Sequence, residues 1–395
     1  MAAPVFLSYA WDDMAEVDDL DSLLRFRGVP VWRDRREMRW GGYNEDLVRA
    51  AILEDVSGFA VYLTPAALND SWFIPKVELR AMDDRRAKGD AFFSGAIFRG
   101  YGVDEGKTAA KKAVGIDLGA TLGTEVDEAE LLGDLREAAN GILLEYLRAH
   151  WRSGPASLHI ETRDPLPTAE SSLLHLALSP PLAHDPDEYD VAVWGERIQP
   201  AFDDLQKAFH TIERTEDKTE RTLEVEGASH LSAAVALGYA FREPTRWNLR
   251  IRHFDAVWAT ERSEGDLEGW ECPPGRAGSD PDGDLVVMIH ATADVQDAVR
   301  ASASGPIRAE LHFRPENGPG KLSLDPKTAN GAAAGIAKAI RDARRKYAPS
   351  ETRLYMAAPW PFAALLGWHL GSTGAVVMHE ANVERDSYRV SCVLK

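Results

Sequence analysis

The chain has 395 residues, more than one ordinary domain holds, so two or three compact units are expected. Its composition, 45% hydrophobic and 27% charged, is that of a soluble globular protein, and no window approaches the roughly 18–20 uninterrupted apolar residues of a membrane-spanning helix. The net charge of −18 excludes a general nucleic-acid binder, which needs a basic face, yet leaves room for a small anionic ligand in one locally positive pocket.

From Met1 to about Trp151, short apolar runs alternate with amphipathic stretches, the rhythm of a parallel α/β sheet. Pro4 to Tyr9 reads as a buried strand leading into a helix from Met14 to Arg27, which Gly28 ends as a C-cap. Val29 to Trp32, Ser57 to Leu63 and Phe92 to Phe98 are the next strands. Gly100 to Gly123 has weak periodicity and reads as loop with one short strand. Asp127 to Arg148 closes the region as an amphipathic helix through Leu131, Leu135, Ala138, Ile142, Leu143 and Tyr146.

Ser153-Gly154-Pro155 and Pro165 to Pro167 punctuate a boundary, giving domains over 1–152 and 156–395. The second again alternates strands and helices. His230 to Gly238 resembles Pro359 to Gly367, each a small-residue helix after an apolar strand, with a further strand following at Trp247 to His253 and Gly374 to His379. The offset of about 130 residues suggests two similar nucleotide-fold halves, about 156–270 and 280–395.

Two cysteines, Cys272 and Cys392, are too few for a disulfide framework or zinc cluster and fit a reducing cytoplasm. The N-terminal residues lack a secretory signal and a myristoylation glycine. No Gly-x-Gly-x-x-Gly or Walker run, Gly-x-Ser-x-Gly elbow, Cys-His nucleophile or zinc motif is present, so no metal or bound cofactor is expected.

Three segments of the first domain resemble TIR domains: Phe6-Leu7-Ser8-Tyr9 with Asp12-Asp13; Gly28 to Asp34 with Met38 to Gly42; and Asp70-Ser71-Trp72 with Glu78-Leu79. The resemblance implies a flavodoxin-like fold and, for Glu78, the catalytic glutamate of NAD-cleaving members. The family spaces that acid about four residues after its aromatic, whereas Trp72 and Glu78 are six apart; Pro75 is then expected to open the helix, one turn before Glu78. Chemistry independent of the family permits a lone carboxylate. Nicotinamide leaves NAD as a neutral ring from a pyridinium, so no general acid is needed, and one carboxylate near the ribose stabilises the oxocarbenium-like transition state. Glu45 is the alternative acid.

Ser8 and Tyr9, at the end of the first strand, are candidate substrate contacts, because open α/β sheets place ligands there. Arg33, exposed by pattern, suits either the NAD diphosphate or a surface ion pair, and Asp34 either the site or a turn. Trp40 and Gly42 lie in a hinge-like loop, and Trp72 completes the substrate set.

Residues 156–395 resemble the SAVED domain, itself similar to two fused CARF-like halves that sense cyclic oligonucleotides in anti-phage signalling. Helix N-termini supply unpaired N–H groups to phosphates, which makes Ser229, His230, Pro359 and Trp360 candidates. Arg246, Trp247, Arg250 and Arg252 combine cations with an aromatic, suited to phosphate and base or simply to an exposed strand. Thr292 marks a close approach after a strand, and Trp360 and Phe362 either line the pocket or fill the core. Together the resemblances imply a cytoplasmic defence effector. Its NAD hydrolysis would be switched on by a cyclic oligonucleotide, a cyclic tri-adenylate by family, through homo-oligomer or filament assembly; a non-enzymatic TIR scaffold is the alternative.

Overall fold

The computed structural model describes the chain except residues 1–2, 34–44, 90, 120, 163–171, 178–190, 217–220, 261–265, 273–276, 279, 321–323 and 383–385. It divides into two compact units: Met1–Gly154 with Ala169–Ala177 and Lys207–Thr219, and Pro155–Thr168 with Leu178–Gln206 and Glu220–Lys395.

The first unit is built on strands β1 (Val5–Ser8), β2 (Val31–Trp32), β3 (Gly58–Leu63), β4 (Phe93–Arg99) and β5 (Leu122–Val126). They order as β2-β1-β3-β4-β5 and every pairing is parallel. That is the flavodoxin-like doubly wound order, in which connections leave β1 and β3 in opposite directions and open a crevice at their carboxyl ends. All six residues of β3 are buried, as a central parallel strand covered on both faces requires. Helix α1 (Met14–Arg25) buries Val17, Leu20 and Leu24, and Gly28 ends this segment at φ +77°. Helices α2 (Glu45–Ala50), α3 (Pro65–Asn69) and α4 (Leu79–Arg86) follow.

One expectation fails here. Half of the stretch read as loop is helix α5 (Val103–Val114), with Asp104 and Glu105 in its first turn, Lys111 and Lys112 in its last, and Gly115 in the left-handed conformation after it. Its buried face consists of Gly106 and Ala110, and a Cβ on Gly106 would stand 2.2 Å from the Phe98 ring. A face made of small residues packs closely without producing an apolar period. Helix α6 spans Leu131–His150; the Asp127 N–H is held by the Asp134 carboxylate at 2.8 Å, so the segment begins as a turn.

The second unit repeats one topology. Strands β6 (Ala156–Glu161), β8 (Thr222–Ala228) and β9 (Asn248–His253) are parallel neighbours, and β10 (Ala256–Ala259) folds back antiparallel on β9. Likewise β12 (Asp284–His290), β14 (Thr352–Ala357) and β15 (Val376–Asn382) are parallel neighbours, with β16 (Ser387–Leu394) antiparallel on β15. β13 (Ile307–Pro315) lies parallel on the other side of β12 and carries β11 (Trp270–Glu271) antiparallel on it, while β7 (Leu174–Ala177) belongs to the chain segments of the first unit. A long helix precedes the second strand of each set, Val191–Glu216, whose residues from Lys207 on belong to the first unit, and Pro326–Tyr347, and a short buried one follows it, Leu231–Ala240 and Trp360–His369. The two short helices, resembling each other in sequence, therefore occupy equivalent places. Nearly every residue of each is buried, so both are apolar all round rather than amphipathic.

Candidate functional site

At the carboxyl ends of β1 and β3 lies a cavity of about 210 Å³. Leu7, Tyr9, Ala10, Trp11 and Asp12 line it from the β1 side, and Ala66, Asp70, Ser71, Phe73, Ile74 and Glu78 from the segment after β3. This is the topological switch point of the sheet. The volume is below the roughly 300–1,000 Å³ of drug-sized pockets, so it holds part of a dinucleotide rather than all of it. All three charged lining residues are acids.

Glu78 is brought here by a π turn, Ile74–Glu78, closed by a bond from the Leu79 N–H to the Ile74 carbonyl. The extra residue in that turn accounts for one of the two added positions between Trp72 and Glu78, and the other disappears when the count starts at Phe73. Phe73, not Trp72, is the buried aromatic: Trp72 is 59% exposed and meets the edge of Phe73 at 5.4 Å. Glu78 itself is 5% exposed and accepts a hydrogen bond from Ser8 Oγ at 2.6 Å. A carboxylate so placed is desolvated on one side and open to the cavity on the other, the arrangement that strengthens its field on a developing cation.

The remaining expected substrate residues separate. Tyr9 lines the cavity, whereas Ser8 reaches it only through Glu78. Arg33 is not exposed, contrary to the pattern: it is 2% exposed, bonded to Asp18 at 2.7 Å and Asp21 at 3.4 Å, with its guanidinium 4.7 Å over the Tyr9 ring. It braces the cavity wall from behind. The alternation that suggested exposure fails because helix α1 covers the end of β2 with two carboxylates. Asp34, Trp40 and Gly42 lie outside the described residues. Glu45, the alternative acid, is exposed at the start of α2 and is not among the lining residues.

Sequence reasoning missed Trp11, Asp70 and Phe73 as lining residues. The signal was available, since Trp11 follows the first strand and Asp70 the third, and loops after those strands face the crevice. Beside them Thr64 donates to Asp13 at 2.9 Å; burial nevertheless raises the Asp13 carboxyl above its ordinary range.

In the second unit the expected ligand set is regrouped. The N-terminus of the helix Leu231–Ala240 is not free for phosphate: the Glu380 carboxylate of β15 accepts from the N–H groups of Leu231 at 3.4 Å and Ser232 at 2.9 Å. His230 is tied to Thr162 Oγ1 through its N–H at 2.7 Å, with Nδ1 at 3.0 Å, and Ser229 is buried. Glu380 is about 150 residues away in the chain, which is why no local pattern shows this cap.

Trp247 is wholly buried, packed on Phe241 at 5.7 Å, with its carbonyl accepting from Trp368 Nε1 at 2.9 Å; it is a core residue, not a stacking surface. Arg246, Arg250 and Arg252 are exposed, the last two on one face of β9 with Ile251 on the other as the alternation required, and Arg250 lies 3.6 Å from Glu224. Thr292 and Ala291 both donate to the Ala357 carbonyl, at 2.8 and 2.9 Å, so their N–H groups join β12 to β14. Pro359 caps the helix Trp360–His369; Trp360 donates to His253 Nδ1 at 3.1 Å, and Phe362 is buried against Trp270, with ring centroids at 5.6 Å. These two aromatics fill the core.

Residues 5–129 match the TIR domain family, and residues 205–394 match SAVED, the SMODS-associated and fused to various effectors sensor domain. No curated protein matches the chain. Similar solved structures include the Acinetobacter baumannii Cap4 SAVED/CARF-domain containing receptor with the cyclic trinucleotide 2'3'3'-cAAA, at 13% identity and TM-score 0.49, covering 88% of this chain and 84% of that one. The same receptor with 3'3'3'-cAAA gives 14% identity and TM-score 0.48 over 88% and 84%. The Moraxella osloensis Cap4 SAVED/CARF-domain containing receptor gives 14% and 0.42 over 99% and 88%.

Proposed function

Because this chain joins a TIR domain to a SAVED sensor domain, we propose that it is a defence effector that hydrolyses NAD to nicotinamide and ADP-ribose when a cyclic oligonucleotide binds its second unit. The observation that carries the reading is the Glu78 carboxylate, buried in a cavity at the switch point of a parallel sheet whose charged lining residues are Asp12, Asp70 and Glu78. A nicotinamide ring enters as a cation, which acids attract, and leaves neutral. Tyr9, Trp11 and Phe73 give the ring apolar and aromatic walls. As the ribose gains oxocarbenium character, Glu78 stabilises the positive charge and water attacks the anomeric carbon. Aromatic walls suit a planar ring, and no second carboxylate is needed to protonate a departing pyridinium.

The cavity is smaller than a dinucleotide, so a neighbouring molecule is well placed to complete the site. We take assembly of the chain on ligand binding as the switch, with head-to-tail contacts that do not close into a ring concentrating the TIR domains. The test is hydrolysis of etheno-NAD by the full chain against a panel of cyclic di-, tri- and tetranucleotides, with cyclic tri-adenylate first in the panel. Turnover that requires one of these ligands and rises in specific activity with protein concentration supports the reading. No turnover with any of them removes the enzymatic reading in favour of a scaffold.

A further inference from the structure

Ser8 and Glu78 are 70 residues apart in the chain, yet their side chains meet at 2.6 Å. Ser8 ends β1 at 1% exposure, and Glu78 ends the π turn at 5%. The separation lies within the roughly 2.5–3.0 Å of an O–H···O hydrogen bond. Ser8 is absent from the cavity lining, although its neighbours Leu7 and Tyr9 are both in it. Among the cavity's lining residues the hydroxyl bonds Glu78.

Two physical problems converge on Glu78. A carboxylate removed from water is driven toward its neutral form, and a neutral acid offers a developing cation little stabilisation. A glutamate side chain also has several rotatable bonds, so without an anchor the carboxylate samples positions away from the reacting carbon. A hydrogen bond donated from a strand end answers both. It favours the ionised form, and it ties the carboxylate to β1, a strand paired on both sides by β2 and β3.

We infer that Ser8 is a positioning residue for Glu78, holding Oε2 from the end of β1 so that the acid stays charged and aimed into the cavity. The inference rests on the NAD-cleaving reading of this cavity. The hydroxyl never touches substrate. A plainer role exists, a buried hydroxyl merely finding an acceptor, and the two differ in what they do to titration and turnover.

The test uses the full-length, ligand-activated protein. Ser8→Ala lowers kcat by about 10- to 100-fold with KM nearly unchanged, and moves the acid limb of the kcat profile up by about one pH unit. Ser8→Thr, which keeps the hydroxyl, recovers most of both. A folded Ser8→Ala protein with wild-type kcat and an unmoved acid limb overturns the inference. A second measurement needs no turnover: in carboxyl-carbon-13 glutamate-labelled protein, the resonance missing from Glu78→Gln titrates at higher pH in Ser8→Ala than in wild type. Equal titration overturns the inference even if Ser8→Thr packs poorly. If the wild-type chain cleaves no NAD, the functional reading fails by itself while this titration still decides whether Ser8 holds the carboxylate charged.

Discussion

Gly238 and Gly367 are each the point at which one short helix of the second unit lets the other's backbone in. A Cβ on Gly238 would lie 2.0 Å from the Ala364 carbonyl oxygen, and one on Gly367 would lie 2.2 Å from that of Val235. One offset of 129 residues relates Gly238 to Gly367 and Val235 to Ala364. The contact is thus self-complementary, each half giving the glycine that the other half's carbonyl needs. Gly238→Ala forces these backbones apart and destabilises the second unit by about 3 kcal/mol, as overpacking does. Urea denaturation followed by tryptophan fluorescence reads the loss, and an unshifted midpoint would show that the helices do not touch so closely in solution.

Replacing Glu78 by Gln removes the charge but keeps an oxygen for Ser8. On the proposed reading, ligand-activated NAD cleavage falls by about 100-fold or more, the scale of losing one electrostatic stabiliser, while ligand affinity in the second unit is retained. Near-wild-type turnover would sink the assignment and turn attention to another acid.

Glu380 holds the first N–H groups of a helix from the other half. Glu380→Ala strands them in a buried place, at about 1–3 kcal/mol. Hydrogen exchange read on the segment starting at Leu231 should accelerate more than exchange in β4 of the first unit; uniform protection would mean that water or another group replaces the cap.

Burial pushes His290 and His379 down to about 4. Both imidazoles are neutral in the folded chain, while in the unfolded chain they take up protons near the ordinary value of about 6.5. Between those values the unfolded state binds more protons, so stability falls as pH drops from about 6.5 to about 4, by up to about 1.4 kcal/mol per pH unit for each histidine. Urea midpoints of the second unit at stepped pH values check this, and His379→Gln should flatten the slope by about one proton.

The first unit was legible because its strands carry continuous apolar runs and its site follows a topological rule. Helix α5 was not, since Gly106 and Ala110 hide its buried face, and Arg33 was misjudged because the carboxylates covering it come from α1. In the second unit the small-residue segments around Gly238 and Gly367 announced the repeat. What they could not announce was the Glu380 cap or the packing of Trp247 and Phe362, whose partners Trp368 and Trp270 lie 121 and 92 residues away in the chain.

The π turn that delivers Glu78 also bears on how such sites are recognised by spacing. A motif counted in residues describes an angle around a helix only once the kind of turn is known. In an α-helix each residue advances about 100°, so one added position swings every later side chain by more than a quarter of a circle. Here the added position is absorbed between Ile74 and Leu79, and the helix beyond still buries Leu79, Ala81 and Met82. Any search that fixes the distance from the tryptophan to the acid will pass over chains built this way, although their carboxylate faces the same crevice.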